Sequence, residues 1–160
     1  IFEIMAEDAL KAALPMIGKE LKPIDHWFDP IPTSQLNKEL PAEKFQILAG
    51  RYAQALPDLV DMSKAKELDQ IADTAFCWAE LAFNARFGMV EHLDDLLLRR
   101  TRLGMLLPDG GMGIIDEVKA QTEPELPWTQ ENWQDEISRY QEIYHKAYSP
   151  TPESFITKEK

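Results

Sequence analysis

Three arginines, Arg99, Arg100 and Arg102, fall within four residues of a chain that carries 28 acidic against 17 basic residues and a formal charge of -11. The guanidinium group is always charged, planar and rich in donors, and suits recognition of carboxylates, helix-end carbonyls and phosphates. In a regular helix these side chains project about 100° or more apart, so they do not all face one spot. Arg99 lies four residues after Asp95, the spacing of an intrahelical ion pair. Arg100 and Arg102 are free for a carboxylate or carbonyl elsewhere in the fold, a neighbouring domain, or an anionic ligand. If Arg100 had a buried partner, its loss would cost about 3–5 kcal/mol; at an exposed rim the cost would be below about 1 kcal/mol.

Other chemistry has little to draw on. His26, His92 and His145 are scattered, with no His-x-x-x-His or Cys-x-x-Cys spacing, so no metal site is expected. Ser34, Ser63, Ser138, Ser149 and Ser154 stand in ordinary loop, cap or helix contexts, and no nucleophile–base arrangement can be assembled from them. A small hydrolase therefore has only scattered Ser and His behind it. Carboxylate pairs such as Asp94–Asp95 and Asp135–Glu136 read as solvated helix faces in so acidic a chain. The lone Cys77, between Phe76 and Trp78, reads as a buried thiol. No catalytic, cofactor-binding or metal residue is assigned.

The elements that must position the arginines are helical. Phe2, Met5, Ala6, Ala9 and Leu10 share one face of a helix over residues 2–13 that ends before Pro15. Residues 15–40, with Pro23, Pro30 and Pro32, form a connector that touches a surface through Ile24, Trp27 and Phe28. Pro41 starts a helix with Phe45, Leu48, Ala49 and Tyr52 inward, and Pro57 starts a short one. The apolar stretch 74–87 predicts a buried helix closed by Gly88, and 93–107 a leucine-rich one with Asp94 and Asp95 in its first turn. Asp109-Gly110-Gly111 is a turn before a helix over about 112–120, and Thr129 caps a last helix with Trp133, Ile137, Tyr140 and Tyr144 inward. The expected fold is all-α, an irregular bundle of five to seven helices in orthogonal rather than up-down packing. No apolar run approaches the ~18 residues needed to cross a bilayer. The acidic balance disfavours nucleic acid and anionic membranes as partners. A cytoplasmic setting is expected.

The segment Leu93-Asp94-Asp95-Leu96-Leu97-Leu98-Arg99-Arg100-Thr101-Arg102-Leu103-Gly104 resembles the hallmark of the C-terminal helical domain of FAD-dependent glycerol-3-phosphate dehydrogenases and the related alpha-glycerophosphate oxidases. The likeness extends to the preceding helix, Ala79-Glu80-Leu81 through Val90, and to Trp133 and Arg139-Tyr140 through Ser149-Pro150. Phe2-Glu3-Ile4-Met5-Ala6-Glu7-Asp8-Ala9-Leu10 is similar to the helix that follows the flavin-binding domain's Gly-Gly-Lys and Thr-Thr segment, which is absent here. Tyr52-Ala53 stands where many relatives have Tyr-Gly.

The resemblance implies a parent that oxidises sn-glycerol 3-phosphate to dihydroxyacetone phosphate, passing electrons to FAD and then to a quinone, usually at the inner face of the cytoplasmic membrane. It divides the chain into residues 1–16, the last helix of the flavin-binding domain; 17–40, a connector; 41–150, the C-terminal helical domain; and 151–160, a frayed tail. With no initiator methionine, the chain reads as a piece of something longer. Its expected role is accessory: packing on the parent's FAD-binding domain or on another subunit, a homo-oligomer included, without activity of its own. Asp95, Arg99, Arg100 and Arg102 are then expected to form interdomain or structural ion pairs. The alternative is a free-standing helical interaction module whose arginine-bearing helix docks an acidic partner.

Overall fold

The computed structural model describes residues 2–20, 36 and 39–149, which divide between two compact units, Ile1–Pro30 and Ile31–Lys160. Most of the expected connector, including Ile24, His26, Trp27 and Phe28, and the tail 151–160 lie outside the described residues. The described residues hold seven α-helices and no strand; a single antiparallel bridge joins Gln70 and Cys77.

The first unit contains α1 (Phe2–Ala13), which tightens into a 3-10 turn over Leu14–Ile17. Pro15 ends the α-helical pattern, and Gly18 at φ 67° closes the turn with its N–H on Pro15 O at 3.1 Å. Lys11 and Glu7 pair along the polar side at 2.8 Å. Within this unit the apolar face of α1 is open: Phe2 is 88% exposed, with Met5 and Leu10 also exposed.

The second unit contains α2 (Ala42–Tyr52), α3 (Leu56–Met62), α4 (Trp78–Phe87), α5 (Leu103–Leu106), α6 (Ile115–Thr122) and α7 (Gln130–Ala147). α4 is its organising element. Leu81 and Ala85 join a cluster with Leu93, Leu96, Leu97, Leu103, Val118, Trp133 and Tyr140, whereas Ala79 and Phe83 join a second cluster with Leu48, Leu56, Leu59 and Val60. A helix buried on both sides has no polar stripe, which is why 74–87 shows no clear amphipathic period. It starts later than its apolar content suggests. Residues 70–77 form a turn held by Ile71 N–H to Phe76 O at 2.8 Å and Thr74 Oγ1 to Ile71 O at 2.7 Å.

The leucine-rich stretch 93–107 is not one regular helix. Asp95–Arg100 is π-helical, with Thr101 N–H reaching Leu96 O at 3.0 Å, and Arg102 at φ 55° breaks the chain before α5. A second break follows α5, where Asp109, Gly110 and Gly111 all take left-handed backbone angles and delay α6 to Ile115. The glycine at 110 is required by packing as well as by angle, since a Cβ there would meet the Tyr144 ring at 2.8 Å. α7 begins as expected at Thr129, whose Oγ1 accepts from Asn132 N–H, and buries Trp133 and Tyr140.

Candidate functional site

The arginine-bearing segment is fixed by carboxylates from two directions. Asp95 caps its start, accepting from Glu91 N–H at 3.2 Å and His92 N–H at 3.0 Å. From α7, Glu136 accepts from Leu93 N–H at 2.9 Å and lies 2.8 Å from His92 Nδ1, a negative charge at the positive end of the segment. Asp94, 2% exposed, receives Arg99 and, at 2.5 Å, Arg139 of α7. Arg99 also meets Asp95 at 2.5 Å. The π turn makes this double contact possible: a five-residue closure sets Arg99 over Asp94, which α-helical spacing would place on a different face. Burial alone would raise the Asp94 carboxyl, but the bonds from Arg139 and Arg99 outweigh it and hold the group below the usual carboxylate range.

Arg100 meets a helix-end carbonyl, one of the partners expected for it. It is exposed, and its Nε donates to Gly88 O at the end of α4 across 2.6 Å rather than to a carboxylate. This helix-end contact belongs to the class of exposed interactions that contribute about 1 kcal/mol or less. Arg102 is exposed, and among the described residues no hydrogen bond or ion pair holds its guanidinium.

Sequence reasoning passed over Arg51 and Glu80. Glu80 is wholly buried in the first turn of α4; its Oε2 accepts from Cys77 N–H at 2.8 Å and its Oε1 from Arg51 at 2.7 Å. Arg51 also donates to Ala75 O at 3.0 Å and lies over the Phe76 ring at 3.9 Å. Asn84 donates to Tyr52 Oη at 2.9 Å, and burial followed by the Glu80 charge drives the Tyr52 hydroxyl upward. The one available signal was Glu80 three residues after Cys77, a capping-box spacing. Cys77 is buried, and desolvation followed by the same carboxylate pushes its thiol up to about 11.

Arg51, Arg100 and Arg102 come together on the walls of one cleft of about 380 Å³, completed by Tyr52, Phe76 and Asn84. The break at Arg102 brings Arg100 and Arg102 to the same concavity, which a continuous helix would not do. No group of His, Cys, Asp and Glu able to hold a metal occurs among the described residues. No described helix is long and apolar enough to cross a membrane.

The fold and these ion pairs define an all-α domain whose buried charges fasten helix to helix. A family model for the C-terminal domain of alpha-glycerophosphate oxidase matches residues 5–133, and the chain belongs to that family. Neither the curated proteins nor the solved structures give a match to it.

Proposed function

We infer that this chain is the accessory C-terminal helical domain of a flavin-dependent oxidoreductase acting on sn-glycerol 3-phosphate, and that it packs on the flavin-binding portion or on another subunit without catalysing the reaction itself. Family membership over residues 5–133 carries the reading. The parent's FAD, held outside this chain, would supply the redox chemistry for converting sn-glycerol 3-phosphate to dihydroxyacetone phosphate, with a quinone as the acceptor. The parent would work in the cytoplasm or peripherally at the membrane's inner face.

The described residues offer no cradle for a flavin. A dinucleotide cradle needs backbone N–H groups of a glycine-rich turn open at a helix N-terminus after a strand. The paired glycines here are buried, Gly110 under the Tyr144 ring and Gly111 against Leu107. Residues 1–16 belong, on this reading, to the last helix of the flavin-binding domain, 17–40 to the connector, 41–150 to the accessory domain and 151–160 to a tail. The exposed Phe2, Met5 and Leu10, which share one side of α1, support it, because an open apolar stripe on a helix calls for another body to cover it.

The reading frame upstream of Ile1 tests the assignment. A G-x-G-x-x-G fingerprint in frame is expected; a stop codon followed by a start codon would overturn it and leave a free-standing interaction module.

A further inference from the structure

We propose that the cleft between Arg51, Arg100 and Arg102 is a binding site for a dianionic oxyanion, of the kind presented by phosphate or a phosphomonoester. The inference rests on the charges around the cleft and is independent of the function assigned to the parent. Among the described residues the lining includes three arginines and no carboxylate, in a chain whose acidic residues outnumber its basic ones by 28 to 17.

The three guanidiniums are not equally committed. Arg51 is matched by Glu80 at 2.7 Å and anchored on Ala75 O and the Phe76 ring, so it forms a fixed wall. Arg100 spends Nε on Gly88 O, a neutral carbonyl, and its terminal nitrogens have no partner among the described residues. Arg102 has no partner among the described residues at all. It stands at φ 55°, a left-handed conformation that costs an L-residue energy and that recurs where backbone strain serves a site. Two guanidiniums on one concave surface with no carboxylate partner among the described residues match a dianion; a single carboxylate would leave one unanswered. Forked N–H donors on tetrahedral phosphate oxygens are a favourable pairing for arginine, and the volume suits a small ligand rather than a bulky one. Because Arg100 and Arg102 are exposed, the affinity is modest and salt-sensitive.

Inorganic phosphate, titrated into the 160-residue chain at low salt and about pH 8, where the dianion dominates, is the probe. The readout is the arginine Nε–Hε NMR signals. The expected result is saturable perturbation with a Kd of about 1 mM, weakened on the order of tenfold by Arg102→Ala and by Arg100→Ala, and unchanged by Arg86→Ala outside the cleft. Since Arg102 has no partner among the described residues, its variant keeps the fold, which the amide spectrum verifies. Acetate is expected to bind on the order of tenfold more weakly than phosphate. A non-saturating response, equal binding of acetate, or a Kd that ignores Arg102→Ala would overturn the assignment.

Discussion

Arg139 reaches from the middle of α7 to Asp94, donating to Oδ1 across 2.5 Å, and so ties the last helix to the arginine-bearing segment 45 residues earlier. Asp94 is 2% exposed and answers two guanidiniums at once, while Arg99 and Arg139 each keep part of their surface in water. The arrangement concentrates the cost of disruption on the carboxylate. Asp94→Ala should destabilise the domain by about 2–3 kcal/mol, less than a fully buried pair because both arginines can resolvate. Arg99→Ala or Arg139→Ala should cost clearly less than Asp94→Ala, because each arginine is partly open to water and its pairing is screened. Urea midpoints at constant m-value measure this, and a loss below about 1 kcal/mol for Asp94→Ala would contradict the role given to the carboxylate.

The same carboxylates set the acid response. Asp94 is held below its ordinary value as described; for Asp95, burial pulls the other way, but the N–H groups of His92 and Glu91 and then Arg99 prevail. Both groups bind protons more readily in the unfolded chain, so their stabilisation is complete above the unfolded carboxylate value of about 4. It drains away as pH falls through the lower folded values. The urea midpoint should therefore be flat from neutral pH to about 5 and drop steeply below about 4. Asp94→Asn should be less stable at neutral pH and lose less on acidification; an equally steep loss would assign the acid response to other groups.

Ala53 caps the end of α2 at φ 45°, ψ -120°, a region that glycine enters freely and alanine does not. Ala53→Gly should stabilise the domain by about 1 kcal/mol, relief of strain exceeding the extra unfolded-state entropy. A lower thermal midpoint in the variant would show that the turn is relaxed with alanine.

Gly104 in α5 is required by close approach. An added Cβ would stand 2.2 Å from the Tyr140 hydroxyl and 2.9 Å from Leu98 Cδ2. Tyr140 in turn donates to Gly110 O at 2.6 Å, holding the left-handed turn against α7. Gly104→Ala should cost about 3 kcal/mol and Tyr140→Phe about 1–2 kcal/mol. The double variant should be more stable than the sum of the two losses, because removing the hydroxyl relieves part of the clash. Strict additivity would mean that Leu98, not Tyr140, is what Gly104 accommodates.

What the sequence made legible follows from regular geometry. The start and inward face of α7 were readable because Thr129 can cap and because Trp133 and Tyr140 recur at helical spacing. The Asp95–Arg99 contact was readable from its spacing of four, although the π turn that adds Asp94 was not. The convergence of Arg100 and Arg102 on one cleft depends on a left-handed residue between two helical segments, and nothing in an arginine at 102 announces that angle. Arg51 and Glu80 escaped notice because their contact spans 29 residues and two elements, and no local pattern encodes it. Helix α4 was recognised as buried, but its start at Trp78 is set by the Gln70–Cys77 bridge, which apolar content does not reveal.

On the function proposed above, this domain serves a flavoenzyme without holding the flavin. The most direct test is gel filtration of the purified 160-residue chain after incubation with excess FAD, read by absorbance of the protein peak in the visible region. A colourless peak is expected, with all flavin in the small-molecule fractions. Flavin eluting with the protein in stoichiometric amount would contradict it.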